Sequence, residues 1–280
     1  MSEKKIHIEK NSTQETLVIP LYARKLCTEL YPSIFKDDRA VELVEKLDYD
    51  FSSIEKNANN FIQRFGSLEI AMRQNDLKFE VEEYLKDHPC AAVINVGCGL
   101  DETGENCDNG KCKIYNLDMA DVIDARNELI PPQERVYNIA CDLNDFSWFD
   151  KIDDSDGSVF FASGVFYYFK IEEIQKLINA MAERFKGGKL VFDITGKMGL
   201  KMVLKVVSEE AGIDNVGGFF HVDSIKNDVL PWLKNAKVSS KGYMFGYSDL
   251  KDPSIPSVFR LISKFGDNVI KMQIMRFDFN

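Results

Sequence analysis

The chain has 280 residues, of which 45% are hydrophobic and 29% charged, and it carries a formal net charge of −10 at pH 7. That length buries a sizeable core, while the acidic balance argues against nucleic acid or an anionic membrane as partner, since either needs clustered Lys and Arg. The opening MSEKKIHIEK lacks the apolar core of a signal peptide, no apolar run approaches the roughly 18 residues of a membrane span, and six scattered cysteines read as reduced, so a cytoplasmic location is expected.

From about Thr16 to Asp87 apolar residues recur at helical spacing. They form four groups: Leu17, Leu21, Leu26 and Leu30; Ala40, Leu43, Val44 and Leu47; Phe61, Ile62 and Phe65; then Ile70, Leu77, Val81 and Leu85. Four helices are expected, with residues 1–90 as an N-terminal helical cap packed on a body of residues 91–280. The first group also holds Ile19 and Tyr22 beside Arg24 and Lys25. That mixture suits either a lid over an acceptor or a stripe buried on the body, and composition favours burial.

From Ala91 onward short β-rich runs alternate with helices. Ala91–Val96, Lys113–Leu117, Arg135–Ile139, Gly157–Ala162 and Lys189–Ile194 are the predicted strands, and Ile171–Phe185 a predicted helix. Near-continuous apolar strands in such alternation predict an α/β fold, a doubly wound and mostly parallel sheet covered on both faces. Beyond them, helices are expected at Lys197–Glu210, Val222–Leu233 and Ser257–Phe265, and strands at Ala236–Tyr243 and Asn268–Phe279, the two strands closing the sheet as a hairpin-like pair. Cys107 and Cys112 flank Asn109-Gly110 and read as a polar turn rather than a metal site, so no metal is assigned.

The stretch VINVGCGLDETGEN, Val93 to Asn106, runs a strand into a glycine-rich turn crowded with carboxylates. Ligands of open α/β sheets sit at such a turn, beside Gly97 and Gly99. The dinucleotide fingerprint needs a third glycine where Glu102 stands, and Asp101, Glu102 and Glu105 would face a pyrophosphate with no compensating cation. The turn therefore suits a ligand without phosphate, such as S-adenosyl-L-methionine, whose product is S-adenosyl-L-homocysteine. Asp118, about 20 residues past the glycines, is placed to accept ribose hydroxyls or to cap the following helix. Asp142 and Leu143, after the third strand, offer a carboxylate and a backbone amide to an adenine ring.

The ordered series ETLVIPLYARKLCTELYPSIFKDDRAVELVEKLDYDF, IAMRQNDLK, VINVGCGLD, NLDMADVIDARNELI, IACDLNDFSWFD, SGVFYYF and KLVFDI resembles the leucine carboxyl methyltransferase superfamily, most closely its bacterial branch similar to the tetracenomycin-type polyketide O-methyltransferases. The resemblance covers roughly Thr16 to Ile194 and implies a class I methyltransferase-like, Rossmann-like fold with an S-adenosylmethionine cofactor. It implies that Arg73 pairs with the methionine carboxylate, that Gly97 admits the cofactor's methionine part, and that Asp118, Asp142 and Leu143 hold ribose and adenine. Ser163 stands where the family usually has Glu beside the cofactor.

The expected activity is O-methyl transfer to a hydroxyl or carboxylate of a small-molecule acceptor. A hydroxyl acceptor gains from a general base, for which His221 and, after it, Tyr167 or Tyr168 are the candidates. Two rivals stand beside this reading. An NAD-dependent oxidoreductase is disfavoured by Glu102, and a non-catalytic binding module is kept open by Ser163 and by a C-terminal third without a match.

Overall fold

The computed structural model describes residues 5–8, 15–57, 60–202 and 220–280. The helical front comprises α1 (Glu15–Leu30), α2 (Asp38–Lys46), α3 (Ser52–Asn57) and α4 (Phe61–Asp87), with a short parallel pair, β1 (Ile6–His7) and β2 (Leu47–Asp48), beside them. Asp37 starts α2 by accepting the Ala40 N–H at 2.8 Å, and Asn60 starts α4 by accepting that of Gln63 at 2.8 Å. The last two apolar groups of the sequence form the single helix α4, because Gly66 between them stays helical, whereas α3 carries too few apolar positions to signal itself.

The body follows as β3 (Ala92–Val96), β4 (Lys113–Asp118), α5 (Ala120–Leu129), β5 (Val136–Ala140), β6 (Ser158–Ala162), α6 (Ile171–Arg184), β7 (Lys189–Ile194), β8 (Ala236–Gly242), α7 (Ser257–Phe265) and β9 (Gln273–Phe279). Seven of these strands make one sheet in the order β5-β4-β3-β6-β7-β9-β8. The first five in that order run parallel, and β9 enters antiparallel between β7 and β8. This is the α/β, Rossmann-like architecture expected. Among the described residues no helix is long and apolar enough to cross a membrane.

Successive side chains of the central strands feed opposite layers, which is why those strands read as unbroken apolar runs. Phe160 belongs to the same core cluster as Ile174 and Ile178 of α6, while its neighbour Phe161 belongs to the cluster that holds Leu77 and Val81 of α4. A third, smaller cluster joins Val18 and Leu21 of α1 and Leu43 of α2 to Leu100, Leu129 and Ile130 of the body. Val18, Leu21, Cys27 and Tyr31 are fully buried, and each large apolar side chain so placed contributes roughly 1.5–3 kcal/mol. The α1 stripe is therefore packed against α2 and the body, the burial that composition favoured.

The C-terminal third departs from expectation in two places. Residues 225–229 form a single wide π-type turn followed by further turns, not a helix across 222–233, and residues 266–270 prolong α7 as another π-type turn, so the last strand begins only at Gln273. Val269 and Ile270 read as strand residues by type, yet Ile270 is needed as a carbonyl acceptor for Gly196 N–H and Thr195 Oγ1. The predicted helix from Lys197 is present as far as residue 202, and its remainder lies outside the described residues.

Candidate active site

Parallel strands place all their C-terminal ends on one rim, so segments far apart in sequence meet there. After β3 the chain turns sharply, with Gly97 and Cys98 N–H both donating to Leu117 O at 2.8 and 3.0 Å. Gly97 has φ +67° and Gly99 φ +50°, a region that glycine enters without strain. A Cβ on Gly97 would sit 2.5 Å from Val165 Cγ2, so the turn is closed to any side chain.

Asp118 ends β4 against this turn. Its Oδ2 accepts the Gly99 N–H at 2.7 Å and its Oδ1 accepts that of Met119 at 2.8 Å. Burial pushes its carboxyl above the usual range, a shift the two N–H donors only partly offset. The cap of α5 is Met119, without a side-chain capping bond, so the alternative role of Asp118 as helix cap falls. The same strand end holds the next segment: Cys141 N–H donates to Asp118 O at 2.9 Å, and Asp142 then folds a tight turn by accepting Asn144 N–H at 2.9 Å, with Leu143 buried beside it.

The carboxylates of the turn do not face outward. Asp101 Oδ1 accepts Gln74 Nε2 at 2.5 Å, Thr103 Oγ1 at 2.7 Å and Thr103 N–H at 2.9 Å. Arg126 of α5, fully buried, donates to the carbonyls of Gly99 and Asp101 at 2.9 and 2.7 Å and to Glu105 Oε1 at 2.6 Å. Arg39 of α2 reaches Glu102 at 3.4 Å. This corrects the sequence argument: the acidic turn has its own cations, and its charge does not by itself select a ligand. What remains against a dinucleotide is the missing third glycine.

A second cluster forms where α4 crosses the ends of β6 and β7. Arg73 Nη1 donates to Asp193 Oδ2 at 2.9 Å; Tyr167 Oη donates to the same oxygen at 2.9 Å, and Gly164 N–H to Oδ1 at 2.6 Å. Asp193 is 2% exposed and saturated with donors. Gly164 has φ +73°, and a Cβ there would lie 3.2 Å from both terminal nitrogens of Arg73, so the guanidinium rests on the turn next to half-buried Ser163. Burial, reinforced by Asp193, holds the Tyr167 phenol far above its ordinary value, and its O–H is already committed as a hydrogen-bond donor to that carboxylate. Asp193 escaped sequence reasoning. The signal was available as the one carboxylate in the apolar strand KLVFDI, one residue before its end.

His221 follows Phe220, which is buried near Phe192, and Val222 N–H donates to Thr195 O at 3.0 Å, which brings the histidine to the β7 end of the rim. It is half-buried, with Nε2 4.0 Å from Asp223 Oδ2. The glycines before it, Gly217 and Gly218, lie outside the described residues. Cap residues close over the same rim: a Cβ on Gly99 would meet Leu17 at 2.9 Å, and Arg24 donates to Leu100 O at 2.9 Å while pairing with Asp37 at 2.9 Å. Arg24 is thus a strut between cap and turn, not a cation held ready for an acceptor.

Residues 18–182 match the family model described as leucine carboxyl methyltransferase. The tetracenomycin polyketide synthesis O-methyltransferase TcmP of Streptomyces glaucescens is 25% identical over 187 residues, covering 66% of this chain and 67% of that protein. Among solved structures, a DUF574-family protein from Streptomyces avermitilis superposes with a TM-score of 0.61 at 9% identity, covering 95% of this chain and 97% of its own. A candidate methyltransferase from Thermobifida fusca gives 0.60 at 11% identity, covering 97% and 95%. At such identities the two structures speak to the fold alone.

Proposed function

The chain belongs to the leucine carboxyl methyltransferase family and is an S-adenosylmethionine-dependent O-methyltransferase, and from that premise we propose that its acceptor is a small, polyketide-like molecule methylated at a hydroxyl or carboxylate oxygen. The similarity to TcmP supports the acceptor class. The free cysteines suit a reducing compartment, and we place the enzyme in the cytoplasm, with residues 1–90 serving as a cap on the body of residues 91–280.

The observation that carries the site is the state of Arg73. One terminal nitrogen is anchored on Asp193, while Nε is buried without a hydrogen-bond partner among the described residues. A buried guanidinium with an unused donor fits a ligand carboxylate, as the methionine part of the cofactor would provide. Asp118 keeps lone pairs for ribose hydroxyls beyond its two backbone bonds, and Asp142 with Leu143 stands next to it for the adenine. Gly97 and Gly99 allow close backbone approach, and Ser163 leaves room where the family usually has a carboxylate. S-adenosylmethionine bound there supplies an already activated methyl group. The residues of this chain then orient the acceptor oxygen, exclude water and, for a hydroxyl, take its proton. His221 at the β7 end of the rim is the base we assign; Tyr167 is the weaker candidate because its phenol is a committed donor.

Calorimetric titration tests this assignment. S-adenosylhomocysteine is expected to bind in the micromolar range, about −8 kcal/mol, and NADH not measurably. The reverse preference overturns the cofactor site.

A further inference from the structure

A cleft of about 430 Å³ opens between α4, the segment after α1 and residues 247–255. None of the rim residues described above lines it. Its walls mix the apolar side chains of Ile34, Met72 and Phe79 with polar ones such as Asn75 and Ser248, and Asp76 of α4 lines it although only 3% exposed. Asp76 Oδ2 has no hydrogen-bond partner among the described residues. An orphaned buried carboxylate oxygen costs roughly 1–3 kcal/mol or more, so the fold keeps it against a penalty.

No neighbouring charged group among the described residues donates a hydrogen bond to it. Asp249 is paired with Lys251 at 2.8 Å, and Asp252 accepts Ser33 Oγ at 2.7 Å. Lys241 lies over the Tyr247 ring, 4.0 Å from its centroid, while the Tyr247 hydroxyl donates to Glu80 at 2.6 Å. The cleft thus holds, in a residue of its lining, an unsatisfied acceptor beside the apolar side chains of Met72 and Phe79, with Asp249 and Asp252 also lining it.

We propose that this cleft is a second ligand site, for a small organic cation: a primary amine on an apolar body, its ammonium donating to Asp76 and its hydrocarbon resting on Met72 and Phe79. An ammonium brings three donors to an acceptor that has none. Met72 and Phe79 beside Asp76 favour an organic cation over a hydrated metal ion, and no group of three or more His, Cys, Asp or Glu suited to a metal occurs among the described residues. Burial pushes the Asp76 carboxyl up to about 9, with Asp267 and Glu80 adding to the shift and Lys241 opposing it. At pH 7 the empty site therefore holds a proton that an incoming ammonium must displace.

The test is calorimetry on the full chain with phenethylamine and, as the uncharged control, phenethyl alcohol, at pH 7 in two buffers of different ionisation enthalpy. The amine is expected to bind at least roughly tenfold more tightly than the alcohol and to release about one proton per site. Asp76→Asn is expected to lose that preference. Equal affinity for the two probes, no binding of the amine at millimolar concentration, or an unchanged preference in Asp76→Asn overturns the proposal. Should Asp76→Asn fail to fold, the amine–alcohol comparison and the proton count in the parent decide alone.

Discussion

Arg73 Nη1 and Asp193 Oδ2 lie 2.9 Å apart although 120 residues separate them in the chain. The pair ties α4 to β7 and sets the direction in which the remaining guanidinium nitrogens point. Arg73→Ala is expected to weaken S-adenosylhomocysteine binding by roughly 2–4 kcal/mol. Asp193→Asn, which keeps the shape, should cost about 1–3 kcal/mol of the same binding through loss of aim. Calorimetry on the double variant checks the link: a cost smaller than the sum of the two supports positioning, and strict additivity rejects it.

Gly97→Ala is expected to lower stability by roughly 1–3 kcal/mol, because the backbone is left-handed there and the new methyl meets Val165 at 2.5 Å. Adding Val165→Ala should recover the steric part and leave the backbone part. Urea unfolding of the three variants separates the two contributions.

The buried charge under the turn makes a sharper case. Arg126→Met leaves two backbone carbonyls without their donor and Glu105 without its cation, with Asn116 Nδ2 still donating to it at 2.8 Å, and a loss of about 3–5 kcal/mol is expected. Glu105→Gln in the same chain should restore part of it by removing the stranded carboxylate. Urea titrations of the single and double variants measure the restoration, and its absence would mean that the carbonyl bonds, not the ion pair, matter.

His221→Ala is expected to reduce kcat on a phenolic acceptor by about 10²–10⁴ and to leave a carboxylate acceptor nearly untouched, since only the phenol needs a base. Equal losses on both would assign His221 to structure.

Stability should also report on Asp76. Its folded pKa of about 9 lies above the unfolded value of 3.8, so the native state holds a proton that the unfolded chain has lost. The neutral acid's contribution is complete below the unfolded pKa and fades as pH rises toward the folded one. Asp76→Asn should therefore gain on the parent across pH 4–9, by up to about 1.4 kcal/mol per pH unit. Parallel stability profiles for the two proteins would refute this.

The sheet was legible because its central strands β3, β4, β6 and β7 are buried on both faces, and Lys189–Ile194 in particular was predicted to the residue. The rim was legible where a residue type is demanded locally: glycine at φ +67° and a carboxylate ending β4. Asp193 and Arg126 were not legible. Their partners come from elements 120 and 21 to 27 positions away, and no local spacing announces such bonds. The acidic turn misled for the same reason, since its neutralising cations arrive from α5 and α2. The π-type turns at residues 225–229 and 266–270 were missed because their residues pattern like ordinary helix or strand, while tertiary hydrogen bonds decide their shape.

The insertion of β9 between β7 and β8 bears on how the protein is made. Strand β8 leaves the ribosome before β9, yet it touches the sheet only through β9. Until residues 273–279 emerge, β7 presents a bare edge of six residues and β8 has no partner in the sheet. The parallel half can assemble during synthesis, but the closing strands must wait, and a nascent chain stalled before residue 273 exposes an edge open to pairing with other chains.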